Sequence, residues 1–283
     1  MTISELKQVF KTELSKIYAD SEISELFSIF CSHILDLDKF QQRIYNQNIV
    51  PEDKLDHFRK IISELRTGKP FQQILGETEF YGLKFFVSKH VLIPRPETEE
   101  LLELAITEIK KMKPNVSELK ILDIGTGSGI IPVVLKKHFP HAKVSAIDYS
   151  EQALETAKKN AIFHELEINF IHKNYLEETL TEVYDIIISN PPYIGIDEEH
   201  EIAESVKHFE PNMALFSPTP NALIFYEKIA EDCKNHLAEN GLVFLEINQK
   251  LGTETLELFT KVLSEVFLMK DISDNDRFVF GKK

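Results

Sequence analysis

The sequence predicts an α/β protein with a mostly parallel sheet, preceded by a small helical bundle and a β-hairpin. Three observations predict this fold: helically spaced apolar residues up to residue 66, an aromatic stretch at 79–87, and strand–helix alternation from residue 120. Such alternation favours a parallel sheet whose ligands bind at the carboxyl ends of the strands. We expect an N-terminal helical substrate-recognition domain at 1–75, a hairpin linker at 76–92 and an α/β domain at 93–283.

The first 66 residues carry the apolar pattern of several short helices with polar outer faces. His33 and His57 are isolated in this region, so a solvated or structural role is expected for each. No catalytic constellation is apparent, and the bundle is predicted to serve recognition or packing. The helically spaced apolar residues include Leu6, Val9, Phe10, Leu14, Ile17, Ile23, Leu26, Phe27 and Phe30.

The next stretch changes from helical to β-prone. Residues 79–87 are rich in aromatic side chains around Gly82, which predicts a hairpin. Pro96 and the acidic residues after it are a typical helix start, because proline suits the first turn and carboxylates complement the helix dipole. Arg95 is held between two prolines, where it can either steer a ligand or pair with a nearby acid.

From residue 120 onwards short β-branched runs alternate with amphipathic segments, the pattern of repeated βαβ units. We expect strands at 120–124, 143–147, 168–171, 186–188, 241–246 and 277–280. We expect the intervening helices at 130–137, 151–163, 223–237 and 256–267.

The charge balance bears on the class of partner. The 283 residues carry a net charge of −14, and residues 1–75 contain 10 basic and 11 acidic side chains, so the acidic excess lies almost wholly beyond them. Neutralising phosphates supplies most non-specific affinity for nucleic acid, which an acidic surface does not favour. A protein substrate is therefore expected, and DNA is not.

Cysteine usage and hydropathy bear on location. Cys31 and Cys233 lie far apart and form no redox or metal-binding spacing, which favours a reducing, cytoplasmic setting. No apolar run approaches the ~18 residues of a membrane helix, and residues 1–11 do not resemble a secretory signal. We expect a cytoplasmic protein that acts as a monomer, away from membranes.

A glycine-rich loop follows the first strand of the α/β region. Gly125, Gly127 and Gly129 let the backbone turn sharply and approach a ligand, and Asp148 ends the next strand, where a carboxylate can bind a ribose. Both a dinucleotide and S-adenosylmethionine contain such a ribose. Asp123 would repel a pyrophosphate but suits the ammonium of a methionine moiety, and the third-glycine spacing of the dinucleotide fingerprint is missing. The balance favours the sulfonium cofactor.

A stiff turn, Asn190-Pro191-Pro192-Tyr193, follows the apolar run at 186–188. Prolines lack an N–H and fix φ, so the turn is rigid and its carbonyls are free to accept hydrogen bonds. The Asn190 side-chain oxygen and the Pro191 carbonyl can accept the two N–H groups of a planar amine or amide, and Tyr193 can stack on it. Such a group beside the cofactor points to methyl transfer by proximity, with no metal and no covalent intermediate.

The sequence resembles the peptide chain release factor glutamine methyltransferases, the HemK/PrmC group, through most of its length. The Asn-Pro-Pro-Tyr element is shared with adenine-N6 methyltransferases, so the upstream elements carry more of the specificity. The resemblance is strongest at 76–82 (GETEFYG), 93–99 (IPRPETE), 123–129 (DIGTGSG), 190–193 (NPPY), 209–211 (FEP) and 214–216 (ALF).

The resemblance implies a five-helix N-terminal domain, a hairpin linker and a class I S-adenosylmethionine-dependent methyltransferase domain. The implied substrate is the glutamine of the Gly-Gly-Gln tripeptide in class 1 release factors, methylated on its side-chain nitrogen. The implied catalytic residues, which hold the glutamine amide, are Asn190, Pro191, Pro192 and Tyr193. The implied cofactor-binding residues are Asp123, Gly125, Thr126, Gly127, Ser128, Gly129, Asp148, Asn174, Tyr175 and Asn190.

One position departs from the family pattern. After the third strand the family often has an acidic residue followed by tryptophan, whereas this chain has Asn174 and Tyr175. Asn174 can still hydrogen-bond an adenine edge and Tyr175 can still stack on the ring, so both are expected to contact the adenine.

Several other functions remain open at this stage. A ribosomal-protein glutamine methyltransferase would share the same chemistry. An adenine-N6 nucleic-acid methyltransferase would share the Asn190 turn, although the −14 charge opposes it. A nicotinamide-dependent oxidoreductase is supported only by the glycine loop and Asp148, and a non-catalytic binding module is disfavoured by the intact turn.

Overall fold

A computed structural model describes residues 1–112, 119–195, 198, 200 and 202–283. The chain divides into two compact units, Met1–Leu75 and Gly76–Lys283. Each unit has its own hydrophobic core. None of the helices in the described part of the chain is both long enough and apolar enough to span a membrane.

The N-terminal unit is helical. Its core is aromatic: the Phe10 ring packs edge-on against Phe27 with centroids 5.6 Å apart, and Phe27 stacks on Phe58 at 6.1 Å. Thr2 caps the first helix through a capping box with Glu5, which satisfies N–H groups that the helix leaves free. The helices are α1 (Ile3–Leu14), α2 (Asp20–Leu35), α3 (Lys39–Ile44), α4 (Glu52–Leu65) and α5 (Phe71–Leu75).

A two-stranded antiparallel hairpin opens the second unit, formed by β1 (Glu77–Phe80) and β2 (Leu83–Phe86). Tyr81 and Gly82 both have positive φ, 53° and 66°, as the mirror-image turns that match strand twist require. Helix α6 (Pro96–Lys111) then begins at the expected proline.

The large sheet has seven strands in the order β5-β4-β3-β6-β7-β9-β8. The first five strands of that order are mutually parallel, whereas β9 runs antiparallel to both of its neighbours. The strands are β3 (Lys120–Ile124), β4 (Lys143–Asp148), β5 (Asn169–His172), β6 (Tyr184–Ser189), β7 (Leu237–Glu246), β8 (Glu265–Lys270) and β9 (Asp276–Lys282). The expected α/β fold with a mostly parallel sheet is confirmed.

Helices cover both faces of this sheet. The side chains of Ile186 and Ile188 enter the core that contains α6 and α7, and the intervening Ile187 enters the core that contains α11 and α12. This alternation follows from the two-residue period of a strand, and it explains why the central residues of β6, 186–188, are all apolar. The remaining helices are α7 (Ile130–His138), α8 (Glu151–Phe163), α9 (Glu204–Phe209), α10 (Asn212–Leu215), α11 (Ile224–His236) and α12 (Gly252–Thr260).

The helix predicted over 256–267 is wrong in its second half. Helix α12 ends at Thr260, and β8 forms the edge of the sheet. Its residues alternate between exposed and half-buried, which is the period of a strand, and Phe267 stacks on its partner Phe280 with centroids 5.8 Å apart. Pairing with β9 therefore decides the conformation of a segment whose apolar residues also fit a helix.

Candidate active site

The glycine loop joins β3 to α7 at the centre of the sheet. Gly125, Gly127 and Gly129 have φ values of 75°, 55° and 79°, a region that glycine adopts readily and other residues do not. The N–H groups of Gly125 and Thr126 both donate to the Ile147 carbonyl, at 2.9 and 3.0 Å. The loop is thereby fixed against the end of β4.

Asp148, the last residue of β4, is fixed by the same loop. Its Oδ2 accepts the Gly127 N–H at 2.8 Å, and its Oδ1 accepts the Ser150 N–H at 2.8 Å. Burial raises the pKa of Asp148, and these N–H donors oppose the rise by stabilising the ionised form. Each carboxylate oxygen keeps a lone pair, so both can still accept a ligand hydroxyl.

Asp123 is a buried carboxyl with unmet hydrogen-bonding capacity. It lies on β3 with no exposed surface, and neither side-chain oxygen has a partner among the described residues; the same holds for the Thr126 hydroxyl. Burial raises the pKa of Asp123 to about 7; the neighbouring Thr126 hydroxyl opposes the rise, and Asp148 adds to it by a smaller amount. A buried carboxyl without a partner is costly, and a bound ammonium group would satisfy it.

The Asn190 turn lies beside the glycine loop. Strands β3 and β6 are adjacent and parallel, with Ile124 opposite Ser189, and the Ser189 hydroxyl donates to the Ile124 carbonyl at 2.7 Å. A Cβ added to Gly125 would stand 4.0 Å from the Asn190 carbonyl oxygen. Both loops leave the sheet at the point where the strand order reverses, which is where open α/β sheets bind ligands.

The side chain of Asn190 is anchored by residues from two other elements. Its Nδ2 donates to the Thr98 hydroxyl at 3.1 Å, and that hydroxyl donates to Glu246 Oε2 at 2.8 Å. The Tyr193 hydroxyl donates to Glu246 Oε1 at 3.3 Å. The side-chain oxygen of Asn190 and the carbonyl of Pro191 accept no hydrogen bond from any residue that the structure describes. These two acceptors remain available to a ligand.

Further contacts hold the end of the turn. The Asn248 amide donates to the Tyr193 carbonyl at 3.2 Å, and Ile194 forms a parallel bridge with Phe216. Sequence reasoning missed Thr98, Glu246 and Asn248. The first lies inside the IPRPETE element, and the other two follow the apolar run of β7, so their positions at strand and helix ends were the available signal.

A cavity of about 350 Å³ adjoins the turn. Arg95 is the one charged side chain among the lining residues that the structure describes, and most of the others are apolar, which suits an uncharged, mostly apolar segment. The described lining residues are Leu92, Arg95, Asn190, Pro191, Tyr193, Ile194, Ile202, Ala203, Val206, Ala214 and Leu215.

Arg95 pairs with an acid, one of the two roles expected for it. Its guanidinium contacts Glu210 Oε1 at 2.6 Å, and the other oxygen of this buried carboxylate accepts the Ile93 N–H at 2.9 Å. The pair ties the segment before α6 to the segment after α9. Arg95 keeps a third of its side chain exposed at the cavity.

The two residues expected at the adenine differ in their placement. Asn174 is half-buried after β5, and its side chain makes no hydrogen bond within the described ranges, so it remains available to a base edge. Tyr175 is only 4% exposed, packs in the core beside α11 and donates its hydroxyl to Asp232 at 2.7 Å. Its ring has no open face for stacking, which argues against the role expected for it. Tyr149 directly follows Asp148 and is 58% exposed, so its ring is open to contact, and sequence reasoning did not single it out.

Gly129 is needed for packing as well as for its backbone conformation. A Cβ on Gly129 would stand 2.9 Å from the Ala157 Cβ of α8, whereas a Cβ on Gly127 would meet nothing within 4 Å. We expect Gly129→Ala to lower the free energy of unfolding in urea by about 3 kcal/mol, of which left-handed strain accounts for about 1–2 kcal/mol. Gly127→Ala is the matched control and should show only the strain. Equal losses of unfolding free energy in Gly129→Ala and Gly127→Ala would contradict the packing role of Gly129.

Comparison with known proteins identifies similar chains. Residues 5–76 match the PrmC N-terminal domain, and residues 105–209 match the Methyltransferase small domain. The chain is 44% identical to the release factor glutamine methyltransferase of Flavobacterium psychrophilum, covering 99% of this chain and 98% of that protein. It is 38% identical to the protein of the same name from Streptococcus pneumoniae, covering 97% of each. The crystal structure of a methyltransferase from Pyrococcus furiosus shares the fold, with a TM-score of 0.53 at 18% identity over 78% of this chain and 98% of that chain.

Proposed function

The chain belongs to the family of release factor glutamine methyltransferases, and from that premise we propose that it methylates the glutamine of the Gly-Gly-Gln motif in class 1 peptide chain release factors. The methyl donor is S-adenosylmethionine, and the accepting atom is the side-chain amide nitrogen. The observation that carries the proposal is the pair of free acceptors, Asn190 Oδ1 and the Pro191 carbonyl, beside the glycine loop.

The residues at the glycine loop fit this cofactor. The unpartnered Asp123 carboxyl suits the ammonium of the methionine moiety, and Asp148 suits the ribose hydroxyls. Asn174 is assigned to the adenine edge, and Tyr149 replaces Tyr175 as the aromatic residue next to the base. When bound, S-adenosylmethionine supplies a methyl group made electrophilic by its sulfonium.

The task of the Asn190 turn is to orient a weak nucleophile. The lone pair of an amide nitrogen is delocalised into the carbonyl, so the nitrogen attacks poorly unless it is held in line with the methyl carbon. Asn190 Oδ1 and the Pro191 carbonyl accept its two N–H groups, which fixes the plane of the amide and favours pyramidalisation. Positioning of this kind can supply about 7–11 kcal/mol of a barrier. The nitrogen would bond to the methyl carbon as the bond from that carbon to the sulfonium sulfur breaks, which leaves a neutral thioether. It would then release one proton to solvent, so the product amide keeps a single N–H.

Tyr193 and the cavity complete the substrate site. The Tyr193 ring lines the cavity while its hydroxyl is held by Glu246, so the ring can cover the glutamine amide and exclude water. The apolar walls suit a glutamine flanked by glycines, which bring no side chains of their own. We assign the helical unit, residues 1–75, to recognition of the rest of the release factor. The protein is proposed to act in the cytoplasm as a monomer.

The proposal predicts that the purified protein adds one methyl group to a class 1 release factor in the presence of S-adenosylmethionine. Mass spectrometry of the Gly-Gly-Gln peptide measures the product and locates the methyl group on glutamine. A release factor with that glutamine replaced by alanine is the control substrate and should gain nothing. Methylation of a ribosomal protein or of nucleic acid, with none on the release factor, would contradict the proposal.

A further inference from the structure

A hydrogen-bond chain runs from the Asn190 side chain into the protein interior. Asn190 Nδ2 donates to Thr98 Oγ1 at 3.1 Å, and Thr98 Oγ1 donates to Glu246 Oε2 at 2.8 Å. Thr98 is 2% exposed and Glu246 is 1% exposed, so water does not compete for these bonds. Three separate elements, the loop after β6, the first turn of α6 and the end of β7, meet in this chain.

Glu246 sets the donor-to-acceptor direction of this hydrogen-bond chain. An ionised carboxylate can only accept hydrogen bonds, so the single hydroxyl proton of Thr98 goes to Glu246. The Thr98 oxygen then offers a lone pair to Asn190, and only the amide Nδ2 can donate to it. Of the two ways in which the Asn190 amide can be turned, this one leaves Oδ1 available to a ligand.

We infer that Thr98 and ionised Glu246 are positioning residues that turn the Asn190 amide so that its oxygen, and not its nitrogen, meets the substrate. This inference rests on the proposed function, in which Oδ1 accepts an N–H of the glutamine amide. A flipped Asn190 would present N–H groups to N–H groups, so the substrate would be held in the wrong orientation or not at all.

Protonation of Glu246 removes the fixed donor-to-acceptor direction of the hydrogen-bond chain. A neutral carboxyl can donate to Thr98, whose own proton can then go to Asn190 Oδ1, and both amide orientations become available. Burial raises the pKa of Glu246 to about 7, against the opposing effects of the Thr98 hydrogen bond and the Arg277 charge. Among the residues that the structure describes, the other titratable groups that face Glu246 are Glu97, Tyr193 and Tyr226, and the Tyr226 hydroxyl donates to the Glu246 backbone carbonyl.

This mechanism predicts the pH dependence of turnover. Because the ionised form is the competent one, kcat at saturating cofactor should rise as the pH increases through about 7. Asp123 also has a raised pKa, but it faces the cofactor, so its titration should appear in the cofactor KM and not in kcat.

We call the hydrogen-bond chain from Asn190 through Thr98 to Glu246 the relay. Three variants test it in the release factor assay. Thr98→Val keeps the shape but not the hydroxyl, and we expect it to lower kcat by about 10–50-fold while KM for the release factor and Kd for the cofactor change less than about threefold. Thr98→Ser restores the hydroxyl and most of kcat. Glu246→Gln keeps an acceptor for Thr98 but does not titrate, so the rise of kcat with pH should disappear.

Either of two results with the Thr98 variants would overturn the relay: wild-type kcat in Thr98→Val, or equal losses of kcat in Thr98→Val and Thr98→Ser, because equal losses indicate a packing role alone. An unchanged pH profile in Glu246→Gln would also overturn it. Absence of turnover by the wild-type protein would instead refute the proposed function.

A substrate-free measurement keeps the relay testable in that case. The Asn190 side-chain amide signal, assigned by its absence in Asn190→Ala, should shift in NMR spectra with a midpoint at about pH 7 in wild type. The shift should be absent in Glu246→Gln. A wild-type signal that does not titrate would overturn the relay.

Discussion

Replacing Asn190 with alanine is expected to lower kcat for release factor methylation by about 10³-fold while changing the Kd of S-adenosylmethionine less than about threefold. The substitution removes Oδ1, one of two acceptors for the glutamine N–H groups, and leaves the backbone turn and the Pro191 carbonyl in place. The amide then loses its fixed orientation towards the methyl carbon. Single-turnover kinetics and calorimetry measure the two quantities separately.

Asn174→Ala is the matched control for this experiment. It also removes an asparagine amide at the carboxyl end of a strand, but one assigned to the adenine. We expect the opposite division: weaker cofactor binding, by about tenfold, with kcat largely kept at saturating cofactor. Normal turnover by Asn190→Ala would contradict its role, and a loss of cofactor affinity equal to that of Asn174→Ala would show that the two residues share one function.

Local sequence patterns account for the parts of the site that could be predicted. The glycine loop, Asp148 and the Asn190 turn each follow an apolar run, and parallel strands bring their carboxyl ends to one edge. The hairpin and α6 were also predictable from local signals, because Gly82 marks the hairpin turn and Pro96 marks the start of the helix. Strand β8 was not, because its conformation depends on pairing with β9 and not on its own apolar spacing.

Long-range contacts account for what sequence reasoning missed. Thr98 is 92 residues from Asn190 and 148 residues from Glu246, so no local pattern shows that these three side chains form one chain. Tyr175 illustrates the converse. Its position after β5 was predicted, but Asp232, 57 residues away, holds its hydroxyl and turns the ring into the core.

Replacing Asp123 with asparagine is expected to weaken binding of S-adenosylmethionine by about 100-fold, near 3 kcal/mol, because the ammonium loses its buried charged partner. The control is a second ligand and not a second variant: 5′-methylthioadenosine keeps the base, the ribose and the methylated sulfur, but it lacks the amino acid moiety and the sulfonium charge. Its affinity should change by less than about threefold between wild type and Asp123→Asn. Equal losses for the two ligands would place Asp123 away from the ammonium.

The same substitution should stabilise the protein when no cofactor is bound. Folding raises the pKa of Asp123 from 3.8 to about 7, mainly through burial, so the folded state holds a proton that the unfolded state releases. Wild-type stability is therefore lost as the pH rises from about 4 to about 7, by about 1.4 kcal/mol per pH unit, and an asparagine does not titrate. Urea denaturation should show Asp123→Asn more stable than wild type by a margin that grows over this range and is constant above it. A stability difference that does not change with pH would show that Asp123 does not carry this burial cost. Saturating S-adenosylmethionine should make the wild type the more stable of the two proteins, since only the wild type gains the buried ion pair.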